Sequence, residues 1–268
     1  MMGFEILQNK HIKSVFCIAA FSLQGCAINP YTEFYQSYVD GKDLGNYSYV
    51  LKKGEEPEVL KGDFDKVISI RDSYLRNNYK QIGYSSFNGS KSSSDSAIKQ
   101  AKKVGATVVL IASEYASTEN IQQTLLLPQT STTNTFGMVG NSTVNLYGTT
   151  QSMQQTTLNK TIDRYDQAAA YLVKLKKEPV FGAVVSALDF KQKQEINSNK
   201  GVEVKIIIDG SPAYLNDVLE GDILTKANGK ELLNPDVAVN ILTSFKHGDV
   251  VNLEYWRKGE KHIKEITL

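Results

Sequence analysis

Histidine and cysteine supply most protein nucleophiles, bases and soft metal ligands, and this chain of 268 residues holds three of the first and two of the second. His247 lies in "KHGD" and His262 in "KHIKEI", both near the C-terminus; from Ala27 to Pro179 neither residue type occurs. A histidine-dependent triad, a Cys–His pair or an ordinary zinc site therefore cannot be built in that stretch. Acidic pairs need no such partner, which leaves Glu114, Asp163 and Asp166 as the carboxylates for a hydrolytic reading. The glycine turn "FNGSK" before a helical pattern lacks the spacing of a phosphate-binding loop and reads as a plain turn. No metal or cofactor is expected.

The remaining chemistry lies in two short stretches, "LQGC" and "VFGA". Lys10 and Lys13 precede the apolar run "SVFCIAAFSL", and small residues follow it, the pattern of a targeting segment over residues 1–25. Cys17 would leave with that segment, so Cys26 would remain without a disulfide partner. An ordinary signal peptide, or a buried helix with an incidental Cys26, would account for the same run. "LQGC" (Leu23, Gln24, Gly25, Cys26) resembles the lipobox of bacterial lipoproteins, although Gln24 departs from the small residue usual there. The resemblance implies cleavage before Cys26 and acylation of its sulfur, which removes the liability of a lone thiol in an oxidising compartment. Several acyl chains anchor stably, each buried methylene contributing about 0.8 kcal/mol. Ala27, rather than aspartate, follows the cysteine, and by the rule of that family the outer membrane is favoured. Removing residues 1–25 takes away Glu5, Lys10 and Lys13 and leaves basic and acidic residues equal in number. Charge would not hold this body to a membrane, and with no basic cluster nucleic acid is not an expected partner.

The elements that must position these residues follow from periodicity. Residues 26–60 read as a tether that folds back on an α+β domain over 61–177. Within it, "FDKVISIRDSYLRNNY" has helical spacing. "QIGYSSF", "SDSAIKQAKKV" and "ATVVLIASEY" read as strand, helix, strand, with Gly105 as the helix stop and the two strands as parallel neighbours. From Asn120 to Asn159 no charged residue occurs over 40 positions rich in Thr, Gln, Asn and Ser. A low-complexity tract is one reading; alternation in "TLLL" and "TVNLY" favours a long hairpin, with "TIDRYDQAAAYLVKLKK" as a strand returning to the sheet. "GYSSFNG", "AIKQAKKVGATVVLI" and "YDQAAAYLVK" are similar to stretches of bacterial lipoproteins, a resemblance that implies a compartment and no chemistry.

Residues 178–268 carry a more explicit pattern. In "VEVKIII", Val202, Val204, Ile206 and Ile208 alternate onto one face. Ser211 and Asn234 precede prolines as helix caps, and "ANGK" makes a tight turn. The order of "GSPA", "GDIL" and "NGKEL" resembles a bacterial PDZ domain of the kind appended to the high-temperature-requirement serine proteases. Asp217 stands where that family usually has glycine. The resemblance implies a PDZ-like β-barrel or sandwich with two helices; before it, the periodicity reads as an N-terminal α/β sandwich-like domain bearing the Thr-rich extension. It also implies a groove in which an extended peptide adds to a strand edge, with Val180, Phe181, Gly182 and Ala183 as the carboxylate loop and Val184 following. Ala238, Ile241 and Leu242 would form the helix wall and the core behind it. Three functions follow: an adaptor for envelope proteins or peptide ends, a surface or structural lipoprotein whose module docks on its own first domain, and a carboxylate hydrolase.

Overall fold

The computed structural model describes residues 29–41 and 43–268. The targeting segment, the lipobox and Cys26 lie outside the described residues. The described residues up to Phe87, with Ser92–Glu114 and Asp166–Leu268, form one compact unit, and residues 88–91 with 115–165 form a second.

The first unit is built on two sheets. The first uses β1 (Tyr35–Ser37), β2 (Ser48–Tyr49), β3 (Glu58–Gly62), β4 (Tyr79–Gly89), β5 (Val108–Val139) and β6 (Ser142–Leu175) in the order β1-β4-β6-β5-β3, with β2 on β6. β3 and β5 run parallel, Glu58 facing Val108 and Gly62 facing Ala112. The expected strand, helix, strand unit is present, but its strands are not neighbours: β6 returns between β4 and β5. A hairpin partner outcompetes the crossover partner because it needs only a two-residue turn. Residues read as a tether contribute β1, β2 and β3 directly to this sheet.

Both faces of the sheet are covered, which explains the near-continuous apolar runs in its central strands. Val109 and Ile111 of β5, with Ala169, Tyr171 and Val173 of β6, face α4 (Ser94–Val104) and the N-terminal segment around Tyr31. Val108, Leu110 and Ala112, with Ala170 and Leu172, face α3 (Phe64–Arg76) through Val67 and Leu75. Asp63 caps α3 by accepting the Lys66 N–H at 2.7 Å, and Gly105 ends α4 in the left-handed region. The short α1 (Pro30–Glu33) is tied to α4 by Asn29 Nδ2 donating to Ser96 O at 2.7 Å and Thr32 Oγ1 donating to Gln100 Oε1 at 2.8 Å. Leu44 enters this core from α2 (Leu44–Tyr47).

The second sheet follows with β7 (Ala183–Ala187), α5 (Phe190–Glu195), β8 (Val202–Ile207), α6 (Pro212–Leu215), β9 (Ile223–Ala227), β10 (Lys230–Glu231), α7 (Pro235–Ser244), β11 (Val250–Arg257) and β12 (Glu260–Thr267). Its order is β12-β11-β9-β8-β7, with β10 on β9. It is an open sheet with two terminal strands, where a barrel or sandwich was expected, and three helices accompany it rather than two.

The alternation expected along "VEVKIII" breaks. Val184 faces Ile206 and Val185 faces Val204, so Lys205 is an extra residue in β8, a β-bulge that reverses the parity beyond it. Val202, Val204 and Ile207 enter the core of the second sheet, while Ile206 turns the other way onto α3. There it meets Val67, Leu75 and Leu172, with Val184 packed beside it, and is 1% exposed. The polar rim of this contact is Arg76, whose guanidinium donates to Glu220 at 2.9–3.1 Å and whose carbonyl accepts the Asp209 N–H at 2.9 Å.

The second unit is a two-stranded ribbon, the expected long hairpin. Thr161 Oγ1 donates to Asn120 Oδ1 at 2.9 Å and Thr118 Oγ1 to Asp163 at 2.7 Å, which sets the register. Its base carries the ion pair Arg164–Glu119 at 3.0 Å and an edge-on contact of Tyr115 with Tyr165.

Ile206→Ala should lower stability by about 2–4 kcal/mol through cavity formation at the α3 contact. Arg76→Ala, removing a pair more than a third exposed, should cost no more than about 1 kcal/mol. Urea unfolding followed at Trp256 and by far-ultraviolet circular dichroism tests both; separate transitions in the two signals would show that the sheets fold independently.

Candidate functional site

The site begins at a loop whose geometry is set by one close approach. Gly182 has φ +90, and a Cβ there would lie 2.1 Å from Ser211 Cβ and 2.2 Å from its Oγ. Only glycine fits, because both the backbone conformation and the space exclude a side chain. Ser211 caps α6 by accepting the Tyr214 N–H at 3.3 Å and donates its hydroxyl to Gly182 O at the same distance. Ile208 N–H also donates to Gly182 O, at 2.8 Å, and Ala213 N–H donates to Phe181 O at 2.9 Å. Both loop carbonyls are thus turned inward and satisfied. Among the described residues no protein acceptor takes the Phe181 or Gly182 N–H. Successive amides left free in a turn form a concavity that favours an anionic oxygen.

From this loop the chain runs into β7, the terminal strand of its sheet. One edge pairs with β8 from Ala183 to Ala187; among the described residues no strand pairs with the other. α7 packs against β7. Asn234 sets its start by accepting the Val237 N–H at 3.0 Å, with Pro235 in the first turn. Four partly buried apolar side chains flank this strand and helix, Val180, Ala183, Ile241 and Phe245, each packed against the core beneath. A short apolar trough beside an unpaired strand edge can accept an extended chain.

The expected site residues divide accordingly. Val180, Ala183 and Ile241 line the trough. Phe181, Ala238 and Leu242 are buried in the core behind it. Gly182 shapes the loop through Ser211 rather than by leaving room for a ligand. Val184 belongs to the opposite face, against α3, and is removed from the lining. Phe245 was missed, although it stands four residues after Ile241 and so on the same side of the helix. The partnership of Gly182 with Ser211 joins residues 29 positions apart and left no local signal.

The "GDIL" turn braces the sheet from the far side. Asp222, 2% exposed, accepts the Leu219 N–H at 2.8 Å and both Arg257 Nε at 2.7 Å and Nη2 at 2.6 Å. The Asp222 carboxylate holds the Arg257 guanidinium above its usual range. Asp217 adopts φ +51 and gives its carbonyl to Arg257 Nη2 at 2.8 Å, so the position usually held by glycine keeps its conformation. The candidate acids have structural bonds: Glu114 accepts the Phe64 N–H at 3.3 Å, and Asp163 accepts from Thr118. His247 is exposed, and His262 stacks on Tyr255 with ring centroids 5.3 Å apart. Among the described residues no cluster of three or more His, Cys, Asp or Glu side chains is arranged to hold a metal ion.

No protein-family model and no curated protein matches the chain. Among solved structures it is similar to the PDZ domain of HtrA3 bound to a phage-derived ligand (FGRWV), at 19% identity and TM-score 0.29, covering 34% of this chain and 84% of that one. It is also similar to the HtrA-type protease AlgW with a decapeptide, at 16% identity and TM-score 0.30, covering 37% of this chain and 36% of that one. This chain thus spans about a third of the protease's length.

Gly182→Ala should destabilise the fold by about 3 kcal/mol or more, since steric overlap and a disallowed backbone act together. The double change Gly182→Ala with Ser211→Gly should recover only part of that loss, because it relieves the overlap and not the strain. Chemical denaturation of the wild type and the two variants checks this, and full recovery would show that φ at Gly182 carries no cost.

Proposed function

We propose that this chain is a lipid-anchored envelope protein whose C-terminal module captures the end of an extended peptide by strand addition to β7. The observation that carries this reading is the unpaired β7 edge, which leaves a loop with two free amides and lies beside α7. Main-chain bonds along the edge supply affinity, and the terminal carboxylate takes the Phe181 and Gly182 N–H groups. Ile241, Ala183, Val180 and Phe245 receive apolar side chains of the ligand. Ala183 leaves the pocket wide, so selection among small and medium apolar ends is weak.

The module also packs on α3, through Val184 and Ile206, as the docking alternative requires. That contact uses the outer face of β7 and β8 and leaves the β7 edge available, so fixation to the first domain and ligand capture are compatible. In this reading the protein serves as an adaptor; Glu114 and Asp163 hold the structural hydrogen bonds described above, and His262 stacks on Tyr255. Acylated Cys26, the first residue after cleavage, holds the adaptor at the outer membrane.

Binding of peptides with free C-termini to the full chain tests the groove. Amidation of the peptide should weaken binding about tenfold or more, as loss of a charge-assisted contact does. Ile241→Lys should abolish binding, and Val239→Lys, on an exposed position of the same helix, should leave it unchanged. Equal binding by wild type and Ile241→Lys would refute the groove. Independently, Cys26→Ser should abolish acyl labelling and membrane retention; unchanged labelling would remove the anchor from the scheme.

A further inference from the structure

The ribbon of residues 115–165 presents a physical problem. A two-stranded β-ribbon is marginal in water without a third strand or an apolar layer. Here the described side chains from 120 to 159 are nearly all exposed on both faces, including Leu126, Phe136, Met138, Tyr147 and Met153. Nor does either face carry an apolar band along its length: the face with Ile121, Leu125, Leu127 and Leu158 is polar from Gln129 to Thr135. Asn120 lies across from Thr161, and continuing that register closes the ribbon on Gly140–Asn141. Leu126, Phe136 and Met138 then share a face with Thr130, Thr132 and Asn134. A bilayer-facing strand needs a run of about ten residues with apolar side chains on alternate positions, and that pattern is absent.

What the ribbon offers is backbone. Proteins blunt exposed strand edges with charged residues, especially lysine, with proline or with bulges. From Asn120 to Asn159 there is no charge at all, and Pro128 is the single proline. The two-residue turn makes Val139 and Ser142 exchange hydrogen bonds, and bonded positions then alternate along both strands. Pro128 therefore turns its nitrogen to the outer edge of β5, where its lack of an N–H interrupts one site of pairing. The outer edge of β6 from Ser142 to Asn159 has no proline and no charge. Its Thr, Gln and Asn side chains can hydrogen-bond to those of a polar strand laid beside it.

We infer that the β6 edge of the ribbon pairs with the same edge of a second copy of this chain, antiparallel, making a four-stranded intermolecular sheet. An uncharged edge is self-complementary, so two-fold pairing satisfies its outward N–H and C=O groups and closes the assembly. The pairing supplies the extra strands that the isolated ribbon lacks.

Sedimentation of the full chain carrying Cys26→Ser, so that no lipid contributes, should show a reversible dimer in the micromolar range. Gln151→Pro removes one outward donor on β6 and should raise the dimer dissociation constant about tenfold or more. Thr130→Pro, directly across the ribbon on β5, should leave it unchanged. Gln151→Lys with Gln155→Lys should also dissociate the dimer, with the circular dichroism spectrum retained, which separates edge repulsion from ribbon collapse. A monomer at all concentrations, or equal effects of Gln151→Pro and Thr130→Pro, would overturn the proposal. So would a monomer that floats with phosphatidylcholine and phosphatidylglycerol vesicles through an intact ribbon, which would make a bilayer the partner.

Discussion

The contact of Ile206 with Val67, Leu75 and Leu172 determines how the rest of the first unit can work. A bulge at Lys205 creates it, by turning one apolar side chain of β8 away from the sheet's own core. Without the bulge Ile206 would join Val202 and Val204 on the inner face, and α3 would lose its partner on the second sheet. With it, α3 is sandwiched, its Val67 and Leu75 serving two sheets through one cluster. Burying one isoleucine in this way contributes about 1.5–3 kcal/mol, more than the exposed Arg76–Glu220 pair at its rim. The apolar contact sets the geometry, and the ion pair finishes its border. The bulge commits the outer face of β7 and β8 to α3, while the far edge of β7 has no strand partner among the described residues.

That division also explains the loop before β7. Ile208 N–H and Ser211 Oγ both converge on the Gly182 carbonyl, and Asp209 N–H is held by Arg76 O two residues from Ser211. The loop that faces the groove is thus braced from behind by the segment that meets the first domain. Amides pre-set in this way would lose little conformational freedom on binding, which favours the proposed capture of a chain end.

Much of this was legible in the sequence, for reasons that differ by element. Helix caps at Ser211 and Asn234, the stop at Gly105 and the helical spacing of residues 64–76 are local signals, and local signals survive folding. The "GDIL" turn was legible through its order with "GSPA" and "NGKEL", and Asp222 closes it locally by accepting the Leu219 N–H. What failed was non-local. The insertion of β6 between β4 and β5 depends on a hairpin competing with a crossover, and neither strand's composition encodes the outcome. The bulge at Lys205 leaves "VEVKIII" looking like uninterrupted alternation, so Ile206 was put on the wrong face, while Val184 was placed in the groove by the resemblance and packs instead by α3. The Gly182–Ser211 approach was invisible because a glycine before a strand has several uses, and its neighbour lies far along the chain.

Strand edges draw the two units into one account. The edge strand β3 carries Glu58 and Lys61, and β12 carries Glu260, Lys261, Lys264 and Glu265. Charges of this kind resist edge-to-edge pairing, and β1 resists it by being three residues long. Two edges lack any such device: β7, "AVVSA", and the ribbon's β6 from Ser142 to Asn159. The two uncharged edges differ in what else surrounds them. β7 has a packed helix, partly buried apolar side chains and a loop of free amides beside it, the features on which the proposed capture of a chain end rests. β6 has only its own repeating polar side chains, which select nothing but a like strand. One edge is therefore suited to a foreign peptide and the other to a copy of itself.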